Sequence, residues 1–515
     1  MRVFSLCVGV LLLLLLLCCA GEAQGRLRDV WDAVRQEAHE VMEQVRMVDM
    51  HQAEKMIRDM LGEVMGEEAA GTLRAGAARV DGTPPLGVPL AGYNHGARAV
   101  PNWPLPEPRE YTTFMMPSTG VLNPSWVRGL VIDNGKDQVC FLSVEAIGAD
   151  GSLFEHAIKI AHDQGFPLPV EKIVLCGAHT HSGPGAVSPE RLWELAPATD
   201  LLVDSIRTQF ASSVAAAMVE AYAAMRPAKV GLGWGELVGV TRNRRANMSP
   251  YVNVDSIDPH LGIIRVDALD GTPIATVWNF ATHGTCYGPD NMSFSGDIMG
   301  YASQLVETAT SAPALFINAD AGDIDPTNAA CANKPFFNGS SIIADKIMQV
   351  RETIVPSADV DFQVYSKIYD FGNTNLNLTV ERVGTDCDHG GPLDICNICK
   401  VLKCDLNLHL DGKWIENTPK FTAIRWTIGG HNSLMVSIPG EPLLELGWQI
   451  RNDTLKLGFD DVFLMGYTNN HMGYFAPPDE YEVGGYEGLL TFWGVNTAEW
   501  VRGYCKEVAE QVKPQ

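Results

Sequence analysis

The chain has 515 residues, 46% of them hydrophobic and 19% charged, which describes a folded globular protein and not a disordered one. Its formal charge of −24 argues against binding nucleic acid or docking electrostatically on anionic membranes, because both need clustered Lys and Arg. A solvated acidic surface is the simpler reading of that charge.

In chain order, the first segment reads as a secretory signal. Arg2 supplies the positive end, an apolar stretch follows from about Val8 to Ala20, and Ala20, Gly21 and Ala23 offer a cleavage site. Residues 1–23 are therefore expected to be a signal peptide, and the protein to be secreted or to reside in the secretory-pathway lumen. The apolar run is shorter than the roughly 20 residues that span a bilayer. No other long apolar run follows, so no transmembrane segment is expected in the mature chain. The C-terminus lacks the apolar tail of a lipid-anchor signal. Residues 24–70 read as a helical extension. Within it Leu27, Trp31, Val34, Ala38, Val41, Val45 and Val48 follow alternating steps of four and three. That seam suits a coiled-coil dimer through residues 27–48, a propeptide, or an amphipathic helix lying on its own domain.

A different pattern holds from 71 to 515. Short apolar strands alternate with Gly/Pro turns and helical stretches. Leu130–Asp133 and Val139–Leu142 read as a hairpin across Asn134-Gly135. Residues 152–164 and 200–224 read as helices, and strands are expected at 261–266, 274–280, 314–318, 433–438 and 462–466. The mixture predicts one large α/β domain, in detail α+β, with layered sheets and flanking helices. Residues 385–405 look like an excursion from it.

Nine of the 12 cysteines lie beyond the signal, an odd number that leaves at least one thiol free or bridged to another chain. The group Cys387, Cys396, Cys399 and Cys404 fits a zinc knuckle or, better in a secreted chain, a disulfide-pinned loop. Sequons at Asn247, Asn291, Asn338, Asn377 and Asn452 permit glycosylation; Asn291 lies too close to His283 to suit a glycan.

The chemistry concentrates where histidines follow strand-like runs. Ala178-His179-Thr180-His181-Ser182-Gly183-Pro184-Gly185 follows Ile173-Val174-Leu175, and Ala281-Thr282-His283-Gly284 follows Ala275–Phe280. Neutral imidazole is the commonest protein ligand for zinc, and two strand ends bringing imidazoles to a Gly-rich rim suit an open metal site. His179 and His181 are either two ligands or one ligand and one substrate contact. Glu441, in Ser437-Ile438-Pro439-Gly440-Glu441, suits zinc, base work or a helix N-terminus. Asn318–Pro326 places Asp320, Asp323 and Asp325 after the strand Leu315-Phe316-Ile317, as site carboxylates or as a solvated acidic loop.

Taken together these segments resemble the neutral (non-lysosomal) ceramidase family of zinc amidases. The resemblance runs from about Leu73 to Gly503. It rests on Leu90-Ala91-Gly92-Tyr93, the two histidine segments, Ser295-Gly296-Asp297, Gly322-Asp323-Ile324-Asp325-Pro326, Ile438-Pro439-Gly440-Glu441, and Asn469–Tyr474 followed by Glu480-Tyr481 and Tyr486-Glu487-Gly488. The resemblance implies one zinc ion per chain held by His179, His283, Glu441 and Tyr474. It implies that His181, Arg244 and Tyr486 contact the substrate, with Arg242 and Arg245 as neighbours that blur the arginine assignment. The implied substrate is a lipid-like N-acyl compound, N-acylsphingosine, hydrolysed to sphingosine and fatty acid by metal-activated water. Two departures stand out. The family carries a serine where this chain has Asp325, which leaves Asp325 as proton acceptor or water-positioner beside His181 in catalysis. The family's C-terminal β-sandwich module is also expected to be absent, since 27 residues follow Gly488. An enzyme for another N-acyl or ester substrate, and a non-catalytic secreted lipid- or glycan-binding homologue, are the competing readings.

Overall fold

The structure is a computed structural model and describes residues 73–98, 110–195, 199–379, 401 and 403–514. The expected signal peptide at 1–23, the helical seam at 27–48, and Cys387, Cys396 and Cys399 lie outside the described residues.

Alternation along the strands decides the layering. In 138–144, Val139 and Phe141 enter one core while Cys140, Leu142 and Val144 enter another. In 260–268, Ile264 and Val266 face one side, and Leu261 and Ile263 the other. A strand with apolar residues on both faces must be covered on both faces.

Eight such strands form the larger sheet: β1 (Arg74–Asp81), β2 (Trp126–Asp133), β3 (Gln138–Val144), β4 (Ile173–Gly177), β5 (Arg226–Glu236), β6 (His260–Ala268), β7 (Pro273–Phe280) and β8 (Ala314–Asn318). Their order is β8-β7-β6-β5-β1-β2-β3-β4. The two outer pairs, β7 with β8 and β3 with β4, are parallel, and the pairs between them are antiparallel. The smaller sheet holds β9 (Asp361–Ile368), β10 (Lys420–Ile428), β11 (His431–Ser437) and β12 (Asp461–Met465), with β11 and β12 parallel.

The two sheets share one core, in which Leu130, Phe141, Val174, Val266, Val277 and Ile317 meet Phe362, Ile424, Trp426, Met435, Phe463 and Met465. Helices α1 (Gly151–Asp163), α2 (Asp204–Ala223), α3 (Asp297–Thr310) and α4 (Asn338–Thr353) cover the other face of the larger sheet. Helices α5 (Leu444–Leu455) and α6 (Thr497–Gln511) cover the smaller one. The result is a four-layer α/β/β/α arrangement of mixed α/β class, as the sequence predicts. The predicted hairpin is β2–β3 with Asn134-Gly135 in the turn, where Gly135 takes φ 79°. The helices expected at 152–164 and 200–224 are α1 and α2.

Among the described residues Cys286 and Cys331 form a disulfide, Cys404 is also disulfide-bonded, and Cys140, Cys176 and Cys505 are buried thiols. The bonded Cys404 favours the pinned loop over the zinc knuckle. No helix among the described residues is long and apolar enough to cross a membrane.

Candidate metal centre

Three parallel strand pairs end on the same side of the molecule, and the site is built from the loops that leave those ends. β4 leads to His179 and His181, β7 to His283, β8 to Asp323 and Asp325, β11 to Glu441, and β12 to Tyr467, His471 and Tyr474. Backbone hydrogen bonds tie the loops together. Gly177 N donates to Tyr467 O (3.0 Å), Asn469 N to Leu175 O (2.7 Å), His283 N to Ile324 O (2.9 Å), His181 N to Gly284 O (3.0 Å) and Glu441 N to Gly473 O (2.8 Å). Glu441 and Tyr474 are register partners in a short parallel bridge. His179, Tyr467 and Asn469 take φ of 65°, 56° and 63°, the left-handed region that side chains normally avoid. Such strain persists where packing over-determines the backbone, and it clusters at functional sites.

Glu441 is the hub and is buried. Its Oε2 lies 3.3 Å from His179 Nε2 and 3.4 Å from His283 Nε2, and accepts from the Tyr467 hydroxyl at 3.4 Å. Its Oε1 lies 3.4 Å from His471 Nε2. His181 Nε2 is 3.2 Å from His179 Nε2. The outer nitrogens are held: His179 Nδ1 meets Ile147 O at 2.7 Å, and His181 Nδ1 meets Gly92 O at 3.0 Å. The strand therefore ends before the two histidines, yet the turn still brings their rings together.

The protonation states follow from burial. Burial, with the neighbouring His179 and His283, holds His181 well below the usual imidazole range, and burial with Arg244 and His179 takes His283 down to about 4. Both rings are neutral at pH 7 and offer lone pairs. Burial raises the Glu441 carboxyl, but His179, His283 and His471 outweigh it and hold it well below the ordinary carboxylate value. Burial and the Glu441 charge hold the Tyr474 hydroxyl well above its ordinary value.

These residues suit a divalent ion. Ligands at about 2.0–2.1 Å in tetrahedral array stand about 3.3–3.4 Å apart, which is the spacing of the Glu441 oxygens from their imidazoles. His283 is fully buried, yet neither of its ring nitrogens makes a hydrogen bond. A buried imidazole so placed lacks a partner that a cation would supply. Two donor groups that could hold a metal stand out among the described residues, His179–His181–His283 and His179–Glu441–His471.

Beside the centre, Arg244 is the arginine that reaches in. Its Nη2 donates to the Tyr474 hydroxyl (3.0 Å) and to Gly322 O (2.8 Å), its Nη1 lies 3.3 Å from Asp325 Oδ1, and its Nε lies 2.7 Å from Glu487 Oε1. Arg244 is thus the arginine hydrogen-bonded to Tyr474. Arg242 is exposed, and Arg245 is buried on Glu480 and Glu487. Tyr486 stands at the rim, its ring centroid 5.5 Å from that of Tyr474. Asp325 sits on the short strand Ile324–Pro326.

Sequence reasoning missed His471, Tyr467 and Arg98. The first lies inside the Asn469–Tyr474 segment, where only Tyr474 drew a role, and the second follows a strand end as the chosen histidines do. Arg98 is buried, and its Nη1 donates to His181 O (2.5 Å) and Ala91 O (3.0 Å), fixing the His181 turn from behind. Asn291 donates its side-chain amide to Ser182 Oγ (3.0 Å) and Ser293 O (2.7 Å).

Fold and site together gather imidazoles and a carboxylate at strand ends, a set of donors that could hold a metal ion. Residues 110–353 match the family described as neutral/alkaline non-lysosomal ceramidase, N-terminal. Similar proteins include neutral ceramidase B of Dictyostelium discoideum, 21% identical over 71% of this chain and 64% of that protein, and the neutral ceramidase of Mycobacterium tuberculosis, 22% identical over 65% and 62%. The crystal structure of neutral ceramidase from Pseudomonas aeruginosa superposes with a TM-score of 0.68 at 20% identity, covering 86% of this chain and 76% of that one. Over residues 110–353 the chain is similar to the neutral/alkaline non-lysosomal ceramidases. It spans 59 to 64% of the length of three of those relatives.

Proposed function

We propose that this protein is a secreted zinc-dependent amide hydrolase that cleaves N-acylsphingosine to sphingosine and fatty acid. The observation that carries the proposal is the convergence of His179, His283 and His471 on Glu441, with Arg244 and Tyr474 hydrogen-bonded beside them. The relatives' printed activity supplies the substrate class. His179, His283, Glu441 and Tyr474 would hold the ion. Bound there, zinc supplies a water pKa near about 7 and a polarised carbonyl.

The chain's own groups do the rest. His181, partly exposed beside His179, presents a neutral imidazole to the scissile amide. Arg244 and Tyr486 face the oxygen that gains charge and the carboxylate product. Arg244 also disfavours a protonated His283, so its charge helps keep that ring ready as a donor. Asp325 cannot act as the alkoxide nucleophile that a serine would provide. Its carboxylate on Arg244 accepts a proton or holds the attacking water. Secretion is supported by the Cys286–Cys331 bond, which suits an oxidising compartment.

His283→Ala is expected to remove bound zinc and N-acylsphingosine hydrolysis together, measured by metal analysis and product release. Full turnover by a metal-free variant would refute the assignment.

Asp325 also favours a second reading, that the enzyme acts on a different N-acyl or ester substrate. Arg244 already carries two carboxylates, Asp325 and Glu487, which weakens its hold on a third. Asp325→Ser distinguishes the readings. A rise in ceramide hydrolysis marks a site drifted from that substrate, and a fall in another acyl hydrolysis gives Asp325 a role of its own.

A further inference from the structure

We propose that His471 is an additional metal ligand, a third imidazole on the ion shared by His179, His283 and Glu441; the inference rests on the metal reading above and names a donor outside the set that the family resemblance implies. Three observations converge on this ring. It is 4% exposed, and neither of its nitrogens makes a hydrogen bond. Burying an imidazole with both nitrogens unsatisfied costs free energy that a metal bond recovers. Its Nε2 stands 3.4 Å from Glu441 Oε1, the same spacing that separates Oε2 from His283 Nε2. That spacing is the edge of a coordination polyhedron with bonds of about 2.0–2.1 Å.

The packing fixes the ring where it is. His471 follows β12 on the loop that also carries Tyr467 and Tyr474. Trp193 Nε1 donates to its carbonyl at 3.0 Å, and the Trp193 ring meets the imidazole edge-on at a centroid distance of 4.5 Å. Gly148 packs against the imidazole, where any Cβ would collide with it. A cavity of about 30 Å³ is lined by His471 with Asp150, Ser188 and Glu190. The rest of its lining includes the apolar Ala146, Ile147, Leu153 and Val187, so the ring is packed and not solvated.

The two candidate donor groups describe one ion and not two. Both depend on His179, whose Nδ1 is committed to Ile147 O, so a single lone pair on Nε2 serves them both. Glu441 then presents one oxygen toward His283 and the other toward His471. The centre is richer in imidazole than two histidines, a glutamate and a tyrosine would make it.

The test uses the full chain loaded with Co(II), in which each bound imidazole gives one hyperfine-shifted ring N–H resonance. The wild type is expected to show a shifted resonance with dipolar contacts to the Trp193 indole. His471→Gln is expected to lose that resonance alone and to bind zinc at least tenfold more weakly in chelator competition. His471→Ala should do the same, with melting of the metal-free proteins as the control for folding. Zinc affinity within twofold of wild type overturns the proposal. So does weakened binding with every shifted resonance retained, which would make His471 an orienter of Glu441. Absence of any shifted resonance near Trp193 in the wild type overturns it even if neither variant folds. A wild-type chain that binds no divalent ion sinks the metal reading itself, whereas the other outcomes sink only this inference.

Discussion

Lys420 shows how far burial alone can move a titration in this protein. Its ammonium is buried under the start of β4, donating to Val170 O and Ile173 O at 2.6 Å each. Burial nevertheless brings its pKa down to about 7, with Glu171 opposing. The unfolded chain keeps that proton until about 10.4. Between those values the unfolded state binds more protons, so stability rises with pH across the window, by on the order of 4 kcal/mol. Lys420→Met is expected to flatten this slope. Denaturant unfolding of both proteins at pH 6 and pH 10 checks it, and parallel pH profiles would count against the buried, discharged lysine.

The same balance explains the centre. His283 is kept neutral by burial, with Arg244 and His179 adding to the effect, while Glu441 is kept charged by its imidazoles. A neutral imidazole at His283 beside a charged carboxylate at Glu441 is a pair of donors suited to a cation.

The strand-end loop is the element on which this site depends, and glycine appears there where nothing else fits. Gly92 has φ 111°, and a Cβ on it would stand 2.8 Å from the His181 ring. Gly92→Ala strains the backbone and pushes His181 away from His179 without touching Glu441 or His283. Turnover is expected to fall about 10- to 100-fold, since displacing a reacting group by about 1 Å costs that much, while the metal content stays near that of wild type. Steady-state kinetics and metal analysis on one preparation check both halves. An unchanged kcat would remove His181 from the reaction.

The four layers hold these loops in register, and the Cys286–Cys331 bond closes part of that frame. It links the segment just after His283 to the segment before α4, across a sequence separation of 45. Closing a loop of that length stabilises the fold by about 4 kcal/mol in the chain-entropy account. The double variant Cys286→Ala, Cys331→Ala is expected to lose about that much unfolding free energy, measured by denaturant titration. A loss below about 1 kcal/mol would mean that the layers alone fix this loop. At this scale the resemblance to the bacterial neutral ceramidase structure is one of fold, and the chemistry depends on the residues that stand in the loops.

Much of this was legible in the residues. Period-two apolar runs, the Asn134-Gly135 turn and an apolar stretch ahead of each His or Glu segment announce the strands and the donors at their ends, because alternation and turn chemistry are local properties. His179, His283 and Glu441 were reachable by motif and order. His471 was not, because a single imidazole in a loop looks like any other until its neighbours are known. Arg242, Arg244 and Arg245 were likewise indistinguishable as letters. Only the packing of two sheets brings residues some 290 positions apart within 3.4 Å of one carboxylate. Burial and proximity are properties of the folded chain, and they decide which imidazoles are neutral, which arginine faces the site and which polar atoms lack a partner.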